Sequence, residues 1–276
     1  MENIVRAEPR SLTGTIIAVV QPGTEGTAAE TLAALSAVSG VQPVIISLGD
    51  NPEAPRTEHR GATVIEGLPS RYLDNAVASL RVSSLPAAVW WRTGGPQALE
   101  DLAALVDRIV LDLEDPVAAW ARVPALASHA AVSDIRWARL TRWRDLLAQF
   151  FEVPEVRRAT YSRLGIRGAD RHDAALLAGW LKSRLPGGAR LDVDHQPDAD
   201  AKLASIELSG PDARLSVRLL PNGTCLETVV AVREGPPTSR VVARGDDRLP
   251  ALLGEELRVR SRDLAFEDAV REAEPS

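Results

Sequence analysis

Two hydrophobic rhythms divide the chain. Over the first 130 residues, short apolar runs alternate with stretches of helical period. Residues 14–20 (GTIIAVV) form a nearly continuous apolar run rich in β-branched side chains, the pattern of a strand buried on both faces. A turn at 21–27 leads to a helix at 28–38 and a second strand at 44–48, closed by Gly49-Asp50-Asn51-Pro52. Beyond a polar loop at 51–60 come a strand at 62–66, a helix near 71–81, and a strand at 86–91 broken off by Thr93-Gly94-Gly95-Pro96. A helix at 97–107 and a strand at 108–113 complete an alternation that predicts an open, mostly parallel sheet with helices on both faces.

Beyond Pro124 the pattern becomes consecutive helices, at 133–151, 155–164 and 171–185, the last stopped by Pro186-Gly187-Gly188. From Arg190 the period shifts to two. Strands are expected at 191–195, 201–208, 213–220 and 224–233, joined by the turns 209–212 and 221–223, with Asn222-Gly223 as a hairpin signal. A strand at 240–244, a helix at 248–257 and an acidic helical tail at 263–273 follow. The expected fold is an α/β N-terminal domain with a mostly parallel sheet, then an α+β C-terminal domain with helices and an antiparallel meander. The boundary falls between Pro116 and Ser133, giving a Rossmann-like domain over 1–130 and a helical bridge plus α+β domain over 131–276.

Composition narrows the function classes. With 276 residues the chain can bury a full core without staples, and Cys225 as the sole cysteine excludes an internal disulfide, a Cys-x-x-Cys pair and a cysteine zinc site within one chain. No run of about 18 apolar residues occurs, and the opening MENIVRAEPRSLTG has no signal-peptide core, so a soluble cytoplasmic protein is expected, with no membrane partner. A net charge of −6 repels a phosphate backbone, so no nucleic-acid partner is expected.

The densest chemistry lies at 133–152, SDIRWARLTRWRDLLAQFFE. Capped by Ser133 or Asp134, a helix there lines up Leu140, Trp143, Leu147 and Phe150 on one face and places arginines on the flank. Large apolar anchors rimmed by guanidinium forks serve protein interfaces, and the same stripe equally suits a buried domain-joining helix. Trp90-Trp91-Arg92 ends an internal strand at the sheet edge where open α/β sheets hold ligands; its ordinary reading is one tryptophan in the core and one under a loop. Pro22-Gly23-Thr24-Glu25-Gly26-Thr27 lacks the spacing of a dinucleotide or P-loop fingerprint, and Glu25 stands where a phosphate would sit. Asp192 and Asp194 fall on one face of a strand and His195 on the other, against a metal site. His59, His129 and His172 are scattered, no Gly-x-Ser-x-Gly elbow occurs, and Asp112, Glu114 and Asp115 have nothing to tune them. Catalytic, cofactor and metal residues are therefore not assigned, which favours a binding or regulatory role.

The run from Asp134 to Phe151 closely resembles the signature segment of the glucose-6-phosphate dehydrogenase assembly protein family, OpcA. Leu85 to Arg92 (LPAAVWWR) resembles the family's strand ending in a Trp-Trp pair, 108–115 its next strand, 174–185 its Ala-x-Leu-x-x-Trp-Leu helix, and 249–257 (LPALLGEEL) its closing helix. The resemblance implies a non-catalytic, cofactor-free protein that binds glucose-6-phosphate dehydrogenase and promotes its active oligomer, as an allosteric activator supporting NADPH supply by the oxidative pentose phosphate pathway. With Cys225 alone, the thioredoxin control attributed to cyanobacterial members has no intramolecular disulfide to act on. The interface candidates are Trp90, Trp91, Arg92, Asp134, Arg136, Trp137, Arg139, Thr141, Trp143 and Arg144, forming or supporting the docking surface. The alternative reading is a sugar-phosphate-binding sensor or enzyme, with Arg92 and the helix start near Gly95 holding the anion at the carboxyl edge of the N-terminal sheet.

Overall fold

The computed structural model describes residues 13–51, 53–82, 84–259 and 261–273; the reading of the first twelve residues lies outside them. The chain forms two compact units. The first takes the chain up to Leu113, residues 128–131 and residues 249–261. It opens with β1 (Thr13–Val20), α1 (Glu25–Ser36), β2 (Gly40–Leu48), β3 (Arg56–His59), β4 (Ala62–Leu68), α2 (Leu73–Leu80), β5 (Ala87–Trp91), α3 (Pro96–Ala103) and β6 (Arg108–Leu111). With β7 (Ala131–Asp134) these strands make a seven-stranded sheet ordered β3-β4-β2-β1-β5-β6-β7. β1 pairs in parallel with β2 and β5, β2 with β4, and β5 with β6, as the apolar runs require.

β3 corrects the expected 51–60 loop. All four of its residues are exposed, and it pairs antiparallel to β4 at the sheet edge, so no hydrophobic period announces it. α3 stops at Ala103, short of the expected 107, because the Asp107 carboxylate accepts from the Ala87 amide at 2.8 Å and ties that residue to the start of β5.

The second unit takes residues 114–127, 132–248 and 262 onward. Its elements are α4 (Val117–Trp120), α5 (Val123–Leu126), α6 (Ile135–Phe150), α7 (Pro154–Arg158), β8 (Arg163–Arg167), α8 (Arg171–Arg184), β9 (Asp192–Gln196), β10 (Ser205–Ser209), β11 (Ala213–Leu219), β12 (Cys225–Val232) and β13 (Thr238–Ala243). α9 (Leu249–Arg258) follows and belongs to the first unit; α10 (Leu264–Glu272) returns to the second. In α9 the Glu256 carboxylate accepts from buried Arg108 at 2.5 Å, and the next turn offers the Val259 carbonyl to the same guanidinium at 2.6 Å. The chain leaves the first unit after Leu113 and again after Ala131, and α9 belongs with the N-terminal sheet rather than with the residues around it.

The six-stranded sheet of the second unit runs β13-β12-β11-β10-β8-β9. β10, β11 and β12 form the antiparallel meander as expected, and β13 extends it; β9, expected to open that meander, lies instead at the far edge of the sheet, separated from β10 by β8. The helix expected over 155–164 ends instead at Arg158, and Leu164 with Ile166 forms the buried side of β8, which lies between β10 and β9 and pairs in parallel with β9. Five residues with two apolar positions are too short a signal for period two to outweigh the preceding helix. Gly179 is required behind the sheet, since a Cβ there would meet the Ala269 carbonyl oxygen at 2.1 Å where α10 crosses α8. Among the described residues no helix is long and apolar enough to cross a membrane.

Candidate functional site

The segment that dominates the sequence becomes the interior of the second unit. Asp134 caps α6, accepting from the Arg136 amide and from Trp120 Nε1–H, each at 2.9 Å, and its side chain is fully buried. Leu140, Trp143, Leu147 and Phe150 are buried on one face, as the spacing predicts. The inward face is wider than that stripe, because Ile135, Trp137 and even Arg136 are also buried.

Arg136 and Arg139, expected on the flank of the helix, point inward instead. Arg136 donates Nε–H to Asp170 at 3.2 Å and a further N–H to the Glu114 carbonyl at 3.1 Å. Arg139 donates to both oxygens of Asp173 at 3.0 Å each. Two arginines three apart on α6 thus face two aspartates three apart at the head of α8, one turn against one turn. Asp170 is also the cap of α8, accepting from the His172 amide at 2.9 Å and the Asp173 amide at 3.4 Å.

Burial and partners pull the charges of this cluster in different directions. Burial would raise the Asp170 carboxyl, but Arg136 and the two amides outweigh it and hold it below the usual carboxylate range. Burial pushes Asp173 up to about 7, against the opposing pull of Arg139. Burial, then the Arg136 charge, lowers His172, whose ring stands edge-on to Trp120 at 5.9 Å. Its Nε2 lies 3.6 Å from Asp115, beyond hydrogen-bond reach.

Trp137 anchors the other flank of α6. Its Nε1–H donates to Asp263, the cap of α10, at 2.7 Å, and its ring packs on Phe266 with centroids 5.7 Å apart. The Arg144 guanidinium lies over the indole at 3.5 Å and donates to Thr141 Oγ1 at 3.2 Å.

Trp90, Trp91 and Arg92 lie in the first unit. Both tryptophans are buried. One carboxylate oxygen of Asp112 accepts from Trp90 Nε1–H and from Arg92 Nε–H, both at 3.1 Å, while the guanidinium stacks 4.9 Å from the Trp90 ring. The Trp91 ring fills the space beneath Gly94, where a Cβ would come within 2.4 Å of it and φ is +121°. In the turn after β1, Pro22 has no amide hydrogen, the Thr24 amide and hydroxyl both go to the Gln21 carbonyl, and Glu25 occupies the first turn of α1. That turn does not fit the pyrophosphate of a dinucleotide.

The structure therefore gathers Asp134, Arg136, Trp137, Arg139, Thr141, Trp143 and Arg144 on one helix, with Arg139, Thr141 and Arg144 the ones not fully buried. Asp170, Asp173, Trp120 and Asp263 complete the cluster, and nothing in the sequence singles them out one by one. The equal three-residue spacing of the two arginines and the two aspartates is the signal that could have found the last pair.

Comparison with known proteins bears on this unit. The sequence pattern of a family described as the C-terminal domain of the glucose-6-phosphate dehydrogenase subunit matches residues 130–270. A protein of Synechocystis named OxPP cycle protein OpcA is 23% identical over 244 residues, a match covering 72% of this chain and 51% of the relative. A protein of the same name from Nostoc punctiforme is 27% identical over 120 residues, covering 40% of this chain and 26% of the relative. This chain spans about half the length of the first and a quarter of the second. Among solved structures, an oxidoreductase from Sinorhizobium meliloti gives a TM-score of 0.59 at 10% identity, covering 96% of this chain and 95% of that one. Levoglucosan dehydrogenase, solved with NADH and levoglucosan, gives 0.60 at 12% identity, covering 95% and 94%. At such identities the likeness is one of fold.

Proposed function

The chain belongs to the glucose-6-phosphate dehydrogenase assembly protein family, OpcA, and from that premise we propose that it is a non-catalytic cytoplasmic partner of the dehydrogenase that binds the enzyme and promotes its active oligomer. The observation that carries this reading is the family match over 130–270, which contains both helices of the arginine–aspartate staple. The signature residues have inward partners, so their proposed part is to support a docking surface: Asp134, Arg136, Arg139 and Trp143 hold α6 in place, while Thr141 and Arg144 sit at its margin. Trp90, Trp91 and Arg92 have the same supporting part at the carboxyl edge of the first sheet.

Activation is then a population shift. The protein stabilises the assembled enzyme by no more than the difference between its affinities for the assembled and unassembled states. A tenfold preference shifts the equilibrium by about 1.4 kcal/mol per bound site. No bond-making step is asked of this chain. The turn that fails to fit a dinucleotide, and the pairing of Arg92 with Asp112, both weigh against the sugar-phosphate reading.

The test is the rate of the same organism's dehydrogenase across substrate concentration, with and without this protein, with light scattering on the mixture. A lower apparent KM or a higher rate, together with a larger complex, is the expected result. No rate change and no complex would refute the proposal and return attention to the carboxyl edge of the first sheet.

A further inference from the structure

The sheet of the second unit ends at β13, and among the described residues no strand pairs with its far side. The Arg244 amide donates to the Thr224 carbonyl at 2.9 Å, and from there β13 runs antiparallel to β12 with Ala243 opposite Cys225 and Val242 opposite Leu226. Bonded and non-bonded positions alternate in such a pair, so Thr238, Arg240 and Val242 direct their backbone groups to β12. Ser239, Val241 and Ala243 turn theirs outward. The Ala243 carbonyl accepts from Arg142 Nε–H of α6 at 3.1 Å, which leaves three amides and the carbonyls of Ser239 and Val241 on the edge. The strand carries no proline, lysine or bulge, and Val241 is 59% exposed. An edge in this state is a template for another extended chain.

We propose that this edge takes up an extended segment of the dehydrogenase as a seventh strand, antiparallel to β13; the inference rests on the function proposed above. Ser239 and Val241 offer the incoming backbone two amides and two carbonyls, four hydrogen bonds in all. Beside the edge lies a cavity of about 180 Å³, walled by Leu146 and Phe150 of α6, by Val153 just beyond it, and by Val230, Thr238 and Arg240. A sheet edge flanked by a helix, with an apolar cavity between them, is the arrangement that binds peptides by strand addition. The backbone supplies affinity, and the cavity selects an alternate side chain.

Charge specifies the segment further. Arg240 is exposed at the middle of the edge and Arg142 stands at its end, and neither meets a carboxylate among the described residues. In the antiparallel pairing, the incoming residue opposite Val242 falls between Arg240 and the Arg142 contact, and the residue four positions later, opposite Thr238, falls beside the cavity. The selected chemistry is an acidic residue followed four positions on by a branched or aromatic apolar one. Pairing β13 with itself is poorer in both registers of greatest overlap. Centred on Arg240, it sets like charges directly opposite one another. Centred on Val241, it brings the Ser239 amide to the Ala243 carbonyl that Arg142 already holds.

The test is binding of the same organism's dehydrogenase to the full chain by calorimetry, with amide hydrogen exchange on the complex. Exchange across 238–243 should slow on binding. Val241→Pro should weaken the complex about tenfold, because it removes an outward amide and sets a ring against the incoming backbone. That amide makes no bond within the sheet, so the substitution removes no ladder bond. Val153→Asp, which places a charge beside the cavity, and Arg240→Glu, which reverses the sign met by the incoming acid, should each weaken binding by about the same factor. Melting curves establish that the variants are folded, and either of the last two replaces the proline variant if it is not. A chain that binds the enzyme without protection at 238–243, or whose folded variants bind as tightly as the wild type, overturns this inference and leaves the proposed function standing. A chain that does not bind the enzyme at all overturns both. A wild-type dimer in sedimentation that Val241→Pro abolishes would overturn the inference by giving the edge to a second copy.

Discussion

Removing Arg139 tests whether α6 is held by a buried staple. Arg139→Ala takes both donors from Asp173, whose side chain is fully buried and lies 3.0 Å from the guanidinium. Breaking such a pair by deleting one partner costs about 3–5 kcal/mol, because the remaining charge stays desolvated. An exposed pair costs at most about 1 kcal/mol, so the two cases separate cleanly. The pH dependence sharpens the test. Asp173 has a folded pKa raised to about 7 by burial, above its unfolded value, so its ionisation opposes folding increasingly as pH climbs through that interval. Without Arg139 the carboxyl rises further. The substitution should therefore cost more at pH 8, where Asp173 is ionised in the wild-type protein, than near pH 5.5, where it is protonated in both proteins. Urea unfolding of the two proteins at both pH values is the assay. Arg139→Leu combined with Asp173→Leu should recover most of the loss. A cost below about 1 kcal/mol at pH 8, or one independent of pH, would refute the staple.

Trp137→Phe keeps the ring on Phe266 but deletes the 2.7 Å bond to Asp263, with an expected cost of about 1.5–3 kcal/mol in urea melts; Trp137→Ala should cost about 3–5 kcal/mol and strand Arg144 as well. Gly94→Ala forces a Cβ into the Trp91 ring at a φ of +121°, and differential scanning calorimetry should show a loss of about 2–4 kcal/mol. The folded pKa of His172 is lowered by burial and by Arg136, so the stability tied to its neutral form is present above the unfolded value of about 6.5 and is lost as pH falls below it. His172→Gln should flatten the acid limb of the stability profile below about pH 6.5, and an unchanged limb would show that another group titrates there.

The sequence carried the strong elements because burial on both faces writes continuous runs, as in β1 and β5, and the Asn222-Gly223 turn and the alternation after it carried the meander. It did not carry β3, whose side chains are all exposed, nor β8, whose two apolar positions merged into the preceding helix. The signature helix was legible as a helix and its Leu140–Phe150 stripe as a buried face. Its arginines were not legible as interior groups. An arginine beside tryptophan reads the same whether it rims an interface or meets an aspartate from another element, and here Asp170 and Asp173 lie 34 residues further along the chain. Where a guanidinium points depends on a partner that local spacing cannot supply.

The return of α9 to the first unit has a consequence for biosynthesis. α9 packs on α1, and its Glu256 pairs with Arg108, yet it is translated well over a hundred residues after β6. At about 5–20 residues per second, the more than 200 residues between α1 and α9 keep the apolar flank of α1 waiting roughly 10–40 s on the ribosome before the helix that covers it emerges. A fragment ending at residue 130 would keep that wait permanently, so the N-terminal half expressed by itself should be sticky and chaperone-bound, and adding α9 in trans as a peptide should relieve it.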